Sequence, residues 1–578
     1  MRRPSPTWLR IGLPLLVAGI TAACFLPSLH NDFVLWDDDL NFTDNRRYRG
    51  LSGAHLRWMF TTFLGGHYQP LSWLTLGIDH ALWGMNARGY HLTSLLLHAA
   101  TAAATYALLV AVLDRREAWT ARAAAVLGAL FFAIHPLRVE SVAWATERRD
   151  VLSGLFFVLT LLAYLRMHRS EGAARRRWLV ASLVAFVLSV LSKAWGMTLP
   201  VVLLALDVRP LRRLPGTSWR ERWRIVVEKL PWAVVAAAAG AVAFAAQHRI
   251  EAMKTLADHD AWERTLQATY GLCFYLWKTL VPTGLSPLYI LPDDLSVTMP
   301  RFGIPAVLVG LITAVTVAGW RRRPWLLAAW VSYVAILSPV LGVAQTGPQL
   351  AADRYTYLAS LPLAALVAAA IDRLLVAAPR RAPLVAVAAA AIVAVYGAAT
   401  VRQTRFWRDS MTLWNHALAV DAGNFVAWTN RGWAQHLDGK LAAAIADYSE
   451  ALRLYPNYPL ALNDRGFARQ IQGDVAGAIV DYTRAIALDP RYAEAIYNRG
   501  TAHHARGDLA AALADYSQAI VLDATDPRFP NNRGLVRRAL GDAAGAREDF
   551  RRALDVAEPD WSGRGVIVKN LAGTDAGE

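Results

Sequence analysis

Eleven apolar stretches, most of them near the ~20 residues that cross a bilayer as a helix, constrain this chain before anything else does. They lie near residues 11–29, 91–113, 122–137, 150–166, 178–193, 196–208, 230–247, 302–320, 324–341, 358–378 and 383–401. A bilayer interior offers backbone groups no hydrogen-bond partners, so segments of this length and polarity are expected to be helices. A hydrophobic share of 55% over 578 residues favours a membrane protein over a soluble enzyme. The net charge of +15 does not indicate a nucleic-acid partner. Its arginines and lysines fall in short clusters between apolar runs: Arg115-Arg116, Arg175-Arg176-Arg177, Arg209 to Lys229, Arg321-Arg322-Arg323 and Arg380-Arg381. That is how cytoplasmic loops are marked, whereas no basic groove interleaved with aromatics stands out.

With these clusters and Met1-Arg2-Arg3 on the cytoplasmic side, loops 30–90, 138–149, 194–195, 248–301 and 342–357 fall on the far side. Residues 265–282 are apolar enough to mimic a span, but a full crossing there would carry Arg321-Arg322-Arg323 outside. An interfacial or re-entrant helix is expected instead. Cys24 and Cys273 sit inside apolar segments and set neither a disulfide framework nor a metal spacing. No leucine of a lipoprotein signal precedes Cys24, so the first segment is expected to remain as an uncleaved span. The Ala/Arg-rich composition suggests a multi-pass protein of a bacterial inner membrane, with its far side in the periplasm.

After residue 401 the chain turns polar and periodic. Gly432, Gly466, Gly500 and Gly534 step by 34, as do Asp447, Asp481, Asp515 and Asp549. Tyr448, Tyr482, Tyr516 and Phe550 keep that step, and so do Ala451, Ala485, Ala519 and Ala553. A 34-residue helix–turn–helix period is the tetratricopeptide repeat. Pro456 and Pro490 close their units, and Trp414 and Ala417 begin a partial one. The expected organisation is therefore all-α: a membrane domain over 1–401, repeats over 402–556 on the non-cytoplasmic side, and a disordered tail over 557–578. Stacked repeats form a concave surface suited to a peptide or protein.

The ionisable groups of the membrane half converge on the far side. Asp37, Asp38 and Asp39 follow the first span; Glu140 and Arg148-Arg149-Asp150 flank the fourth; Lys193 ends the fifth; Asp353-Arg354-Tyr355-Thr356-Tyr357 opens the tenth. Charge at the mouth of a span is costly unless water, a partner or a substrate meets it. An acidic loop facing such cations suits a reaction with an anionic leaving group.

Several short motifs occur in order: Phe33-Val34-Leu35-Trp36-Asp37-Asp38, Tyr68-Gln69-Pro70-Leu71, Tyr90-His91-Leu92, His135-Pro136 with Glu140, Arg148-Arg149-Asp150, Lys193, and Asp353-Arg354-Tyr355-Thr356-Tyr357-Leu358. With the repeats, they make the chain resemble the transmembrane-and-tetratricopeptide (TMTC-like) O-mannosyltransferase family, especially its bacterial relatives, over about residues 11–556. The resemblance implies a GT-C fold and a polyprenyl-phosphate-linked sugar donor used outside the cytoplasm. The acceptor would be a hydroxyl, Ser or Thr of a protein first. Asp37 or Asp38 would be the base, with Glu140 orienting the acceptor or an arginine. Arg354, Lys193, Arg148 and Arg149 would meet the leaving phosphate, and Asp353, Tyr355, Tyr357 and His91 belong to the same motifs. No cofactor is implied, and a divalent cation at Asp37 and Asp38 is not favoured. The chain departs from animal members at Gln69 and at Ala194, which follows Lys193, so mannose is not assumed. The alternatives are a silent membrane scaffold presenting its repeats to envelope proteins, and a transferase directed at a glycan or lipid in surface polysaccharide assembly.

Overall fold

The computed structural model describes residues 7–114, 118–214, 217–249, 260–292, 294–342, 349–558 and 561–575. Met1-Arg2-Arg3 and Arg115-Arg116 lie outside the described residues. The chain forms two compact units, Met1–His416 and Ala417–Glu578.

The first unit is mainly helical. Helix α1 (Thr7–Phe25) leads into an outer loop that carries α2 (Gly53–Thr61) and α3 (Pro70–Trp83), and α4 (Ala87–Leu113) and α5 (Trp119–Ala133) follow. The chain continues through α6 (Val139–Ala143), α7 (Arg148–Met167), α8 (Gly172–Ser192), α9 (Leu199–Val208), α10 (Trp219–Val227) and α11 (Leu230–Arg249). It ends with α12 (Ala261–Leu280), α13 (Pro300–Ala318), α14 (Pro324–Leu337), α15 (Thr356–Ala377) and α16 (Ala382–Phe406). Two short strands, Tyr289–Ile290 and Gln349–Ala351, pair antiparallel.

Seven segments among the described residues are long and apolar enough to cross a membrane: Ile11–His30, Ala87–Leu113, Ala145–Met167, Leu230–His248, Pro300–Ala318, Asp353–Ala377 and Pro379–Phe406. Trp119–Ala133 and Pro136–Ala143 make an eighth if the pair is one span, bent by 55°. Pro136 gives the cause, since it cannot donate to the helix that reaches it. Ala194–Val208 and Pro324–Val340 are apolar but shorter. At 1.5 Å per residue the ten residues of α9 rise only ~15 Å, about half the hydrocarbon thickness. The 265–282 stretch lies in α12, which Asp260 and Glu263 close with a capping box and which is not among the seven. Small residues let spans approach: a Cβ on Gly128 of α5 would stand 2.9 Å from that of Ala368 on α15.

The outer loop is itself folded. Phe42, Tyr48, Met59, Trp73, Leu76 and Tyr90 form a buried cluster, which draws aromatics into a small core rather than along the lipid interface. An ion pair from Arg148 to Asp79 fastens α3 to the start of α7. Arg148 also donates to Tyr90 O and, at 3.3 Å, to Ser94 Oγ, tying in α4.

Helix α17 (Ser410–Val420) runs from the first unit into the second, where four helix pairs follow. They are α18 (Phe425–Leu437) with α19 (Leu441–Leu454), α20 (Pro459–Gln472) with α21 (Val475–Leu488), α22 (Ala493–Arg506) with α23 (Leu509–Leu522), and α24 (Arg528–Ala539) with α25 (Ala543–Val556). The 34-residue step has a physical basis in each pair. Asp447, Asp481, Asp515 and Asp549 each accept a two-pronged hydrogen bond from the arginine sixteen residues earlier, at 2.6–3.0 Å. Gly466 lies against the Tyr482 ring, which an added Cβ would meet at 2.8 Å. The expectation of a disordered tail fails over residues 564–575. Arg564–Asp575 forms a helix, α26, whose Ile567 is buried with Phe550, Ala553 and Ala557. The last pair of a stack would otherwise leave that apolar face open to water.

Candidate active site

The ends of α7, α8 and α15 and the outer loop bring a dense set of charges together. Glu147, fully buried before the first turn of α7, lies at the centre. Its Oε1 accepts from Arg149 Nη2 at 2.6 Å and its Oε2 from Lys193 Nζ at 2.8 Å, while Arg354 Nε stands 3.5 Å away. Lys193 also donates to Asp150 Oδ1 at 2.6 Å, and Ser141 Oγ donates to the other oxygen of Asp150 at 2.9 Å. Arg354 is held a second time by Glu140, which accepts from its guanidinium and, at 2.7 Å, from its backbone N–H. Aromatic faces complete the cradle. The Arg354 guanidinium lies 5.4 Å from the Trp144 ring centre and 5.0 Å from that of Tyr355, and Lys193 Nζ is 4.8 Å from Trp195. Desolvated cations held in this way are costly to assemble but already oriented.

The aspartates of the outer loop meet this cluster in different ways. Asp37 has a φ of +63°, an uncommon backbone conformation that turns neighbouring side chains in different directions. Asp38 goes inside. Its Oδ1 accepts from Thr146 N at 3.0 Å and Thr146 Oγ1 at 2.6 Å, and its Oδ2 from Val34 N at 2.9 Å. Burial pushes its pKa up to about 7, against the pull of those three donors. Asp37 stays open to water within the concavity and, among the described residues, has no side-chain hydrogen bond or ion pair. Its pKa is also raised by desolvation, while Arg149 and Arg354 act on it in the opposite sense. His67, on the same side, is kept neutral: desolvation, Arg149 and Lys193 pull its pKa down to about 3. The cluster thus holds three fixed cations, each matched by carboxylates, and one carboxylate left free. Such an arrangement can take a proton from a hydroxyl and steady negative charge on a leaving group.

The repeats match models described as tetratricopeptide repeat over residues 425–458 and TPR repeat over 468–507 and 500–541. Among curated proteins, the chain is similar to Protein O-mannosyl-transferase TMTC2 of Homo sapiens, 34% identical over 157 residues. It is also similar to TMTC4 of Homo sapiens (29% over 214 residues) and TMTC1 of Mus musculus (30% over 226). Over these segments the chain is similar to the TMTC proteins. These matches take in 26%, 33% and 36% of this chain and 18%, 28% and 23% of the respective relatives, so it spans less than a third of their length. Similar solved structures include MamA, at 24% identity and a TM-score of 0.24 over 25% of this chain and 85% of that one. Another is the first TPR of Spaghetti (RPAP3) bound to an HSP90 peptide, at 26% identity and 0.21 over 21% and 96%.

The structure gathers Asp37, Glu140, Arg149, Lys193 and Arg354 and separates others expected beside them. Arg148 is buried and committed to Asp79, because consecutive helix residues point ~100° apart. It pins the outer loop and does not join the cation cluster. His91 is fully buried in α4, and Tyr357 is buried with its hydroxyl 2.8 Å from His98 Nδ1. Both belong to helix packing. Asp353 accepts from the Tyr289 hydroxyl at 3.1 Å, on the strand pair beside the cluster. Tyr355 packs edge-on against Trp195 and forms part of the wall. Sequence reasoning missed Glu147 and His67. The signal for Glu147 was present: a carboxylate directly before Arg148-Arg149 on an outer loop has a partner at hand.

Proposed function

We propose that this protein is an integral-membrane glycosyltransferase that moves a sugar from a polyprenyl-phosphate-linked donor to a hydroxyl, with Ser or Thr of protein acceptors first. The observation that carries the reading is the unpartnered Asp37 set against Arg149, Lys193 and Arg354, whose positions are fixed by Glu147, Glu140 and Asp150. The similarity to proteins named protein O-mannosyl-transferases supports the same reaction class. In the step, the acceptor oxygen bonds to the anomeric carbon as the bond from that carbon to the phosphate oxygen breaks. The electron pair leaves with the phosphate and the hydroxyl proton passes to Asp37. The lipid phosphate needs no acid, only charge in place beforehand, and the three cations supply it. Asp38 is a positioning residue that latches the loop to Thr146, and Glu140 positions Arg354. The reaction would take place on the non-cytoplasmic face of a bacterial inner membrane. Tetratricopeptide repeats on that periplasmic side would raise the local concentration of acceptor.

The test compares envelope glycopeptides from cells lacking the protein and restored with wild type, Asp37→Asn or Asp38→Asn at equal membrane levels. Ser/Thr-linked sugar masses should return with wild type and fail with Asp37→Asn. Equal restoration by Asp37→Asn would remove the base and leave the scaffold reading ahead. Altered surface polysaccharide with unchanged proteins would redirect the acceptor to a glycan.

A further inference from the structure

Away from the charged cluster, helices α4, α7, α9, α14 and α15 line a cavity of about 380 Å³, within the ~300–1,000 Å³ of ligand sites. It exists because α9 and α14 are too short to fill the layer between the three longer spans beside them. Its body is apolar, lined by residues such as Leu108, Leu161, Leu206, Ala328 and Leu366. Its charged end is formed by Arg209, Arg212 and Arg373.

None of these three arginines forms an ion pair among the described residues. Of the two acids beside them, Asp114 is paired with Arg169 at 2.9 Å and Asp372 is buried and engaged. Arg212 and Arg373 are exposed, and both lie near enough to Arg209 to oppose its charge. The Arg373 guanidinium rests 4.3 Å from the centre of the Trp325 ring, which holds it at the mouth. Three like charges gathered at the end of an apolar cleft in a membrane protein call for an anion that carries a hydrocarbon chain. That anion is not the sugar donor of the active-site recess. Arg354 and Arg373 stand nineteen residues apart near opposite ends of α15, about 28 Å, and one lipid phosphate cannot meet both.

We propose that the cleft binds an anionic phospholipid from the leaflet opposite the recess. Its phosphate rests on Arg209, Arg212 and Arg373, and an acyl chain fills the space left by α9 and α14. Basic residues at the membrane surface attract such headgroups, and the apolar body contributes by burying the chain. The inner end of the cleft reaches Ile336, whose carbonyl accepts from Trp195 Nε1 at 2.9 Å, so the bound chain would brace the wall behind Lys193.

The test uses the full-length protein in phosphatidylcholine nanodiscs, with phosphatidylglycerol carrying a diazirine near one acyl terminus as the probe. After illumination, labelled peptides are mapped by mass spectrometry. Label should concentrate on residues 105–113, 202–206 and 361–369. Unlabelled phosphatidylglycerol should compete it away while phosphatidylcholine does not. The R209Q/R212Q/R373Q variant should lose at least tenfold of the label. Ala205→Trp, which fills the cleft and keeps every charge, should lose as much and carries the test alone if the triple variant does not fold. Label confined to the outer faces of α13 and α16, equal competition by phosphatidylcholine, or undiminished labelling in Ala205→Trp would overturn the proposal. Stronger competition by farnesyl phosphate would also overturn it, assigning the cleft to an isoprenoid chain.

Discussion

Asp38→Asn should remove a specific pH dependence from the stability of this protein. The folded carboxyl titrates at about 7 against 3.8 for the free group, because burial disfavours its charge. An acid whose pKa rises on folding binds its proton more tightly in the folded state. The stability it gives is therefore complete below about pH 4 and is lost as pH rises through about 7. At ~1.4 kcal/mol per unit, the whole shift is worth on the order of 4 kcal/mol, of which about 3 kcal/mol disappears between pH 5 and pH 8. The amide does not titrate. It also sets an N–H₂ against the Thr146 or Val34 donors, at a pH-independent cost of ~1–3 kcal/mol. Wild type and variant should be unfolded in detergent micelles at pH 5, 6, 7 and 8, followed by tryptophan fluorescence. Distant titrating groups cancel in the difference between the two proteins, which leaves Asp38 and its coupling to the neighbouring Asp37. Wild type should lead clearly at pH 5, with the gap shrinking by about 3 kcal/mol towards pH 8. Parallel curves across the range would mean that Asp38 is ionised throughout and that its three donors outweigh burial.

Asp37→Asn should lower sugar transfer by ~10²–10⁴-fold, the usual contribution of a general base, and leave the melting temperature unchanged because its side chain holds nothing. Glu147→Gln should lower stability by roughly 3–5 kcal/mol, since Arg149 and Lys193 would lose a buried counter-charge; a melt indistinguishable from wild type would show that Asp150 and Glu140 suffice. In the repeats, Gly466→Ala should cost ~1–3 kcal/mol by driving a methyl into the Tyr482 ring, read as an earlier thermal transition of the repeats. Asp464→Asn should flatten a pH dependence of the same sign as that of Asp38, because burial lifts this carboxyl to about 7 as well.

The all-α class and the repeats were legible because each rests on a period or a length that the chain writes out directly, although among the described residues seven segments, or eight with the bent pair, and not eleven are long and apolar enough to cross a membrane. Gly466, Tyr482 and Asp481 recur at 34 because one packing contact and one ion pair recur, and a period survives any ignorance of geometry. What was not legible turns on direction. Asp37 and Asp38 are the same residue type in adjacent positions, and only the left-handed turn at Asp37 sends one to the recess and the other to Thr146. Arg148 and Arg149 pose the same problem on a helix, where one step separates an outer-loop anchor from the cation cluster. The closing helix at Arg564–Asp575 was missed because its burial rests on few residues, Ile567 with Leu571 one turn later, too little to mark a span or a repeat.

The neighbouring aspartates impose opposite demands, and this gives the site a built-in compromise. Asp38 latches the loop most stably when protonated, so the scaffold around the base is firmest in mild acid. Asp37 accepts a proton only when ionised, and desolvation raises its pKa too, so transfer would strengthen as pH rises. The donors on Asp38 temper the conflict, since Thr146 and Val34 still hold its carboxylate once the proton has gone. The fixed pairs of the recess do the same for the cations. Glu140, Glu147 and Asp150 keep Arg354, Arg149 and Lys193 in place with no phosphate present, so an arriving lipid phosphate meets charges that need no reorganisation. A site built this way spends stability on the ion pairs of three desolvated cations and leaves Asp37, the one carboxylate that must change its charge during the reaction, free of them.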